Sequence, residues 1–400
     1  MKAKVLLAVI LALSALYSIG VGLTLADSDR TLADPAEWGK KYPIQYGSYL
    51  ENYKEVAQPF GGSVERSRLE EHPSAYEFYK GLGFAIEFNA SRGHVYALED
   101  VKNVARPKAA AICLTCKTSA LPYLVEEYGV EGFYRADFKK TAEEAAYPIS
   151  CANCHNPDDM TRRINNPALK AALAQDGKDL EELSQEDMRM LACAQCHVEY
   201  YFTYSELILT LPWANGTEPH AIEAYYDSIG FSDWKHPDSG VGLLKVQHPE
   251  YETYKDSIHS MMGLTCADCH MPPAEKGGIQ YTSHWWTSPL NHIEQSPCIM
   301  CHGGTAAELR ERVLGLQEVT SKRIDVVGEA LADLHKKLAS KKAALAGETY
   351  ITVASLIRKA QFRLDWVFSE NSTGFHNNAM LMGLLDEAEA QIAEARKLLE

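Results

Sequence analysis

The sequence predicts a mainly α fold with few short strands, long C-terminal helices and a core organised around a repeated cysteine motif. Three observations predict it. From about Asp27 to His302 the chain reads as short helical pieces broken by Gly, Pro and Asn, with no long alternating run of the kind a strand needs. Beyond His302 the character changes to a sustained three-four spacing of Leu, Val and Ile, the signature of long amphipathic helices. All ten cysteines fall in Cys-x-x-Cys pairs: Cys113/Cys116, Cys151/Cys154, Cys193/Cys196, Cys266/Cys269 and Cys298/Cys301.

In chain order, the first element is a leader. MKAK is followed by a largely apolar run from Val5 to Ala26, which reads as an export signal, residues 1–26. The run is longer than an ordinary signal core and long enough to span a bilayer, so a cleaved signal peptide and an uncleaved N-terminal anchor both fit. Either places the remainder outside the cytoplasm, periplasmic or outward-facing. With 400 residues at 46% hydrophobic the remainder can bury a real core, which excludes a disordered chain. The formal net charge is −15 and no Lys/Arg block is long enough to track phosphates, which excludes nucleic acid as a partner. The same negative field repels a small anion at long range, so an anionic substrate would need a local cationic funnel.

The region from 27 to 303 carries the chemistry. Ten cysteines in an exported protein first suggest disulfides, but four of the five pairs are followed at once by histidine: His155, His197, His270 and His302. Two thiols at this spacing can add to the two vinyl groups of one haem while the adjacent imidazole lies under the iron. Zinc knuckles share the Cys-x-x-Cys spacing but do not require a histidine directly after the second cysteine four times. The core is therefore expected to be packed around five covalently bound haem c groups, as in a multihaem c-type cytochrome.

The fifth motif, CLTCK, has Lys117 where the others have histidine. It is either a decayed site or a haem whose iron takes an amine. Lysine is ordinarily protonated near neutral pH, so the iron must displace that proton, as metals do with protonatable ligands. Ten histidines remain after the four proximal ones, enough to close each ordinary iron with a second imidazole and restrict it to electron transfer. The haem at Cys113, Cys116 and Lys117 is then the one expected to be open and catalytic.

Four Cys-x-x-Cys-His motifs and one Cys-x-x-Cys-Lys, in the order Lys-His-His-His-His, resemble the pentahaem cytochrome c nitrite reductases, the ammonia-forming family. The resemblance extends from Arg92 to the terminal helices. In SRGHVYA it implies Arg92 as a distal-pocket residue holding an anion, and His94 as a distal ligand to the haem of His197. In CAQCHVEYYF it implies Tyr200 as a phenol beside bound intermediates and Glu199 as a calcium ligand. In LLKVQHPEYE it implies calcium ligation by the Lys245 carbonyl and the Gln247 side chain, with the Tyr200 carbonyl joining them, and His248 projecting into the pocket. The remaining distal ligands it implies are His284 for the His155 haem, His376 for the His270 haem and His259 for the His302 haem. The segment HWWTSPLNHIEQSP departs from the family pattern, and His72, His220, His236, His292 and His335 acquire no role.

The last element is a helical region, residues 304–400. Thr305 and Glu308 form a capping box, and the apolar stripe Leu309, Val313, Leu316, Ile324, Val327, Leu331, Leu334, Leu338 runs on to about Leu345. Two more helices are expected near Thr349–Ser369 and Asn378–Glu400. A first helix of about 40 residues, against about 11–12 for an average one, needs a partner for its stripe. The region is expected to support the haem array and to form a homodimer. The activity implied is the six-electron reduction of nitrite to ammonium, with electrons from a membrane quinol-oxidising multihaem cytochrome or a small soluble one. Sulfite or hydroxylamine reduction at the same site, and an electron-transfer cytochrome with every iron closed, are the competing readings.

Overall fold

The cysteine-bearing elements are short because local caps, not long apolar stripes, start them. The computed structural model describes residues 31–108 and 110–400, so the expected leader lies outside the described residues. Helix α1 (Cys151–Cys154) opens on a capping box between Ser150 and Asn153, and α2 (Gln185–Ala194) on one between Ser184 and Asp187. After α3 (Pro219–Ser228) and α4 (Glu250–Tyr254) comes α5 (Cys266–His270), boxed by Thr265 and Asp268. Helix α6 (Pro297–His302) starts with proline, whose missing N–H would have been unpaired there anyway. A single helical turn puts residues three apart on one face, which is how α1, α5 and α6 each turn two thiols toward the same cavity.

Strands are confined, among the described residues, to three two-stranded antiparallel ribbons. They are β1 (Tyr201–Phe202) with β2 (Leu209–Thr210), β3 (Trp234–Lys235) with β4 (Gly242–Leu243), and β5 (Pro273–Lys276) with β6 (Ile279–Thr282). The last is a two-residue hairpin at Gly277-Gly278, both at positive φ, the turn that matches strand twist.

The expected C-terminal helices form. Helix α7 spans Ala306–Lys341, 36 residues behind the Thr305/Glu308 capping box. Helices α8 (Gly347–Ser369) and α9 (Asn378–Leu398) follow. Gly303 and Gly304, both at positive φ, precede α7. The α7 stripe Ile324, Val327, Leu331, Leu334 and Leu338 is buried against α8 and α9. From Ala360 to Ser369, α8 is buried on every side.

These helices do not pack on one another alone. Their core continues into Leu69, Phe78 and Tyr79, into Ile222 and Tyr226 of α3, and into Leu243, Leu244 and Val246. A second apolar core gathers Ile112, Leu114, Leu124, Phe133, Leu169, Leu191 and Val198. Burying each of these large side chains contributes about 1.5–3 kcal/mol. The cysteine motifs lie between the two cores and face a common cavity.

Candidate active site and haem-binding cavity

All five Cys-x-x-Cys motifs line one cavity of about 2150 Å³. A drug-sized pocket is about 300–1,000 Å³, so this space suits several macrocycles and not one small ligand. The order of the motifs can be read from their sulfurs. The Cys116 and Cys196 thiols are in contact, as are Cys193 and Cys266. Cys154 lies within electrostatic reach of Cys193, and Cys269 of Cys298. The CLTCK motif therefore adjoins the third motif, the third adjoins the second and fourth, and the fourth adjoins the fifth.

Histidines face each other across this cavity in four pairs. The ring centres are 6.0 Å apart for His94 and His197, 6.2 Å for His155 and His284, 6.3 Å for His270 and His376 and 6.0 Å for His259 and His302. Two imidazoles bonded to opposite sides of one metal, each through a nitrogen at about 2 Å, hold their centres about 6 Å apart. Each pair joins the histidine of one Cys-x-x-Cys-His motif to one remote in sequence. Burial pushes His94 down to about 3 and His270 and His284 down to about 4, keeping the rings in the neutral form that binds metal. His94 Nδ1 is buried with no partner in the protein. The residues present fit haem.

Beside CLTCK the structure gathers Lys117, Tyr200, His248 and one arginine. His248 lies 6.5 Å from His197, ring centre to ring centre. Burial holds its imidazole well below its usual pKa, helped by Lys117, His197, Lys245 and Arg106. Burial likewise pushes the Tyr200 phenol well above its usual value, so it stays protonated. The arginine in this group is Arg106, whose guanidinium lies 3.9 Å from the Phe84 ring centre and has Tyr200, Glu87 and Cys113 as electrostatic neighbours.

Arg92, the arginine expected here, is directed elsewhere. Its guanidinium is held by Glu99 and Asp100 and lies 4.4 Å from the Tyr96 ring centre. The reason is local: Gly93, at φ +107, turns the chain between Arg92 and His94, sending the imidazole to His197 and the guanidinium to the acidic helix Ala97–Asn103. Arg106 could have been found from sequence as the arginine closest before CLTCK, in the Arg-Pro step that ends the preceding helical stretch.

The expected calcium residues converge. Glu199 is buried, accepts from Gln247 N at 2.6 Å through Oε2, and from Tyr226 OH at 2.9 Å through Oε1. Gln247 Nε2 lies 3.3 Å from Lys245 O, and a flip of that amide presents Oε1 instead. Two more carboxyl groups stand close: half-buried Asp233, raised to about 7, and buried Glu252, raised to about 8, each chiefly by desolvation. Glu252 Oε2 has no partner. One carboxylate, one amide oxygen and main-chain carbonyls, with two further carboxyl groups beside them, suit a hard divalent cation.

The loop bearing these ligands is fastened to α8. Lys245 Nζ lies 2.9 Å from Asp365 Oδ1 and 2.7 Å from Ser369 Oγ, and Val246 N donates to Asp365 Oδ2 at 2.8 Å. Trp366 Nε1 donates to Thr253 Oγ1 of α4 at 2.9 Å. Carboxylates also contact two cavity imidazoles: Glu250 Oε2 is 3.3 Å from His197 Nδ1, and Glu370 Oε1 is 2.5 Å from His376 Nδ1.

The family model for cytochrome c552 matches residues 34–400 of the chain. The chain is 34% identical to cytochrome c-552 of Bacteroides fragilis over 372 residues, 90% of this chain and 75% of that protein. It is 34% identical to cytochrome c-552 of Desulfotalea psychrophila over 383 residues, covering 90% and 73%. Among solved structures it is similar to the cytochrome c nitrite reductase of Desulfovibrio desulfuricans, described for two calcium sites in its catalytic subunit. That match has a TM-score of 0.84 and 32% identity, covering 92% of this chain and 86% of the other.

Proposed function

The chain belongs to the cytochrome c552 family, and on that premise we propose that it reduces nitrite to ammonium with six electrons and eight protons at the CLTCK site. The observation that carries the reading is the contrast between four histidine pairs, each spaced for one iron, and a fifth motif where Lys117 faces Tyr200, His248 and Arg106. Five haem c groups would be bound through the ten cysteines and would supply one-electron redox chemistry, the one held at Cys113, Cys116 and Lys117 being the one that reduces the anion.

The chain's own residues do the rest. The Arg106 guanidinium, desolvated against Phe84, holds the nitrite oxygens and opposes the negative charge that grows as N–O bonds break. Tyr200, kept protonated by burial, donates a proton or hydrogen bond to the departing oxygen. His248, kept neutral, places a second ring nitrogen on the same side. Glu199, Gln247 and the carbonyls of Tyr200 and Lys245 hold calcium, which with the Lys245–Asp365 pair fixes the loop that aims His248. Arg92 steadies the turn into His94.

Residues 1–26 direct the chain to the periplasm or an outward face, and among the described residues no helix is long and apolar enough to cross a membrane. Residues 27–303 form the pentahaem catalytic unit. Residues 304–400 form the homodimer contact, for which the exposed Val319 and Val326 on α7 offer an apolar strip. Electrons enter from a multihaem or small soluble cytochrome. The test is product analysis: holoenzyme, an artificial reductant and nitrite, with ammonium counted against electrons. One ammonium per six electrons supports the assignment. No nitrite consumption, with every haem reducible and low-spin, would make the protein an electron carrier.

A further inference from the structure

The imidazoles of the four pairs differ in what holds their far nitrogen, and the differences fall in one place. His155 Nδ1 lies 2.9 Å from the Met160 carbonyl, His284 Nδ1 2.9 Å from the Thr282 carbonyl and His270 Nδ1 3.1 Å from the Thr287 carbonyl. These are neutral acceptors. His197 and His376 meet buried carboxylates instead, Glu250 and Glu370.

Both carboxylates are fixed by further bonds. Glu370 accepts from Ser372 N at 3.1 Å and from Ser372 Oγ at 2.5 Å, and that hydroxyl in turn accepts from His376 N at 2.8 Å. Glu250 Oε1 accepts from Asn371 N at 3.1 Å and Asn371 Nδ2 at 2.7 Å. Since Asn371 follows Glu370 directly, the loop after α8 ties both carboxylates together. The chain His197, Glu250, Asn371, Glu370, His376 thus runs between the third and fourth motifs, whose Cys193 and Cys266 thiols touch.

A carboxylate accepting an imidazole N–H makes the ring a stronger electron donor to the metal on its other side. A buried negative charge nearby acts in the same direction, because the oxidised iron carries one more positive charge than the reduced one. Resting on the reading that each histidine pair holds one haem, we infer that Glu250 and Glu370 are positioning residues that set the reduction potentials of two particular haems. They make the haems of His94/His197 and His270/His376 the two lowest-potential members of the bis-histidine set. The other two pairs, backed by carbonyls where a backing group is present, lie higher. Electrons held on the carboxylate-backed pair are the most reducing ones among the four histidine-pair haems, and the His94/His197 member of that pair adjoins the CLTCK motif at Cys116 and Cys196.

The test is a spectroelectrochemical titration of full-length holoenzyme, followed by low-spin ferric electron paramagnetic resonance, in Glu370→Gln and Glu250→Gln. Haem content per chain is measured first. The expected result is a positive shift in the potential of one low-spin haem in each variant, a different haem in each, with the other potentials unchanged. Glu370→Asp should fall between wild type and Glu370→Gln. No shift in either variant at full haem loading overturns the inference, as does an equal shift of every haem. Failure of the underlying reading has another signature: wild-type protein without five haems, or without four low-spin signals.

Discussion

Lys117 is the residue on which the assignment of roles turns. Replacing it with histidine leaves the two cysteines in place, so haem is retained, while the changed donor opposite the substrate is expected to lower nitrite turnover roughly tenfold or more. Steady-state turnover with haem quantitation checks this, and unchanged turnover would remove lysine from the mechanism. The two arginines give a sharper contrast. Arg106→Gln loses a charged hydrogen-bond donor at the reacting anion and should reduce turnover by about 10²–10³, whereas Arg92→Gln breaks contacts to Glu99 and Asp100 and should leave the chemistry nearly intact. The reverse outcome would restore Arg92 to the pocket. At this scale the sequence was legible wherever a motif states its own chemistry, as the cysteine pairs and CLTCK do. It was not legible for Arg92, because a backbone turn at Gly93, not residue type, decides where that side chain goes.

At the scale of elements, α8 matters more to the site than its periodicity suggested. Its stripe announced a helix, and the helix forms within two residues of the expected start, at Gly347 instead of Thr349. Nothing in the stripe announced that Asp365 would bind the Lys245 ammonium at full burial. That pairing depends on which loop lands on α8, information that is spread over the fold. Removing one partner of a buried ion pair costs about 3–5 kcal/mol, so Asp365→Asn should lower the unfolding free energy by about that much. Adding Lys245→Met to Asp365→Asn removes the stranded ammonium and should recover a large part of the loss, read by chemical denaturation of holoenzyme. A double variant no better than the single one would show that the pair holds nothing in place. The caps and the long α7 stripe were legible for the opposite reason: both are local.

At the scale of the molecule, two cores flank a cavity that five prosthetic groups fill, and the void explains why the middle of the chain lacks regular periodicity. Its short helices pack against macrocycles, so their apolar faces obey no helical or strand repeat. The cation site is a molecular property too, since Glu199 and Gln247 meet only when the loop is fastened to α8. Exhaustive chelation should therefore loosen the loop and depress turnover while leaving haem content intact. Full activity in calcium-free enzyme would count against those ligands. Acid acts on the molecule through a second buried feature. His236 and His335 stack with ring centres 4.2 Å apart, with His335 held by Ser239 and Gln361. Burial, together with the neighbouring His236, pushes His335 down to about 3. An unfolded histidine takes a proton below about 6.5, but the folded ring does not, so its stability contribution is complete above that pH. It falls by about 1.4 kcal/mol per unit as pH drops from about 6.5 towards about 3. Unfolding measured at several pH values should show a shallower acid slope in His335→Gln, and an unchanged slope would place the sensitivity elsewhere.

The main core joins Leu69, Phe78 and Tyr79, early in the chain, to Leu399, just past α9. A polypeptide that emerges N-terminus first cannot close such a core until α9 has emerged. Until then the cysteine thiols, which end up lining the cavity, remain open to whatever attaches the prosthetic groups. Docking of α9 onto this core is then the event that seals them in, so the C-terminal helices act as the clock for assembly as well as its scaffold.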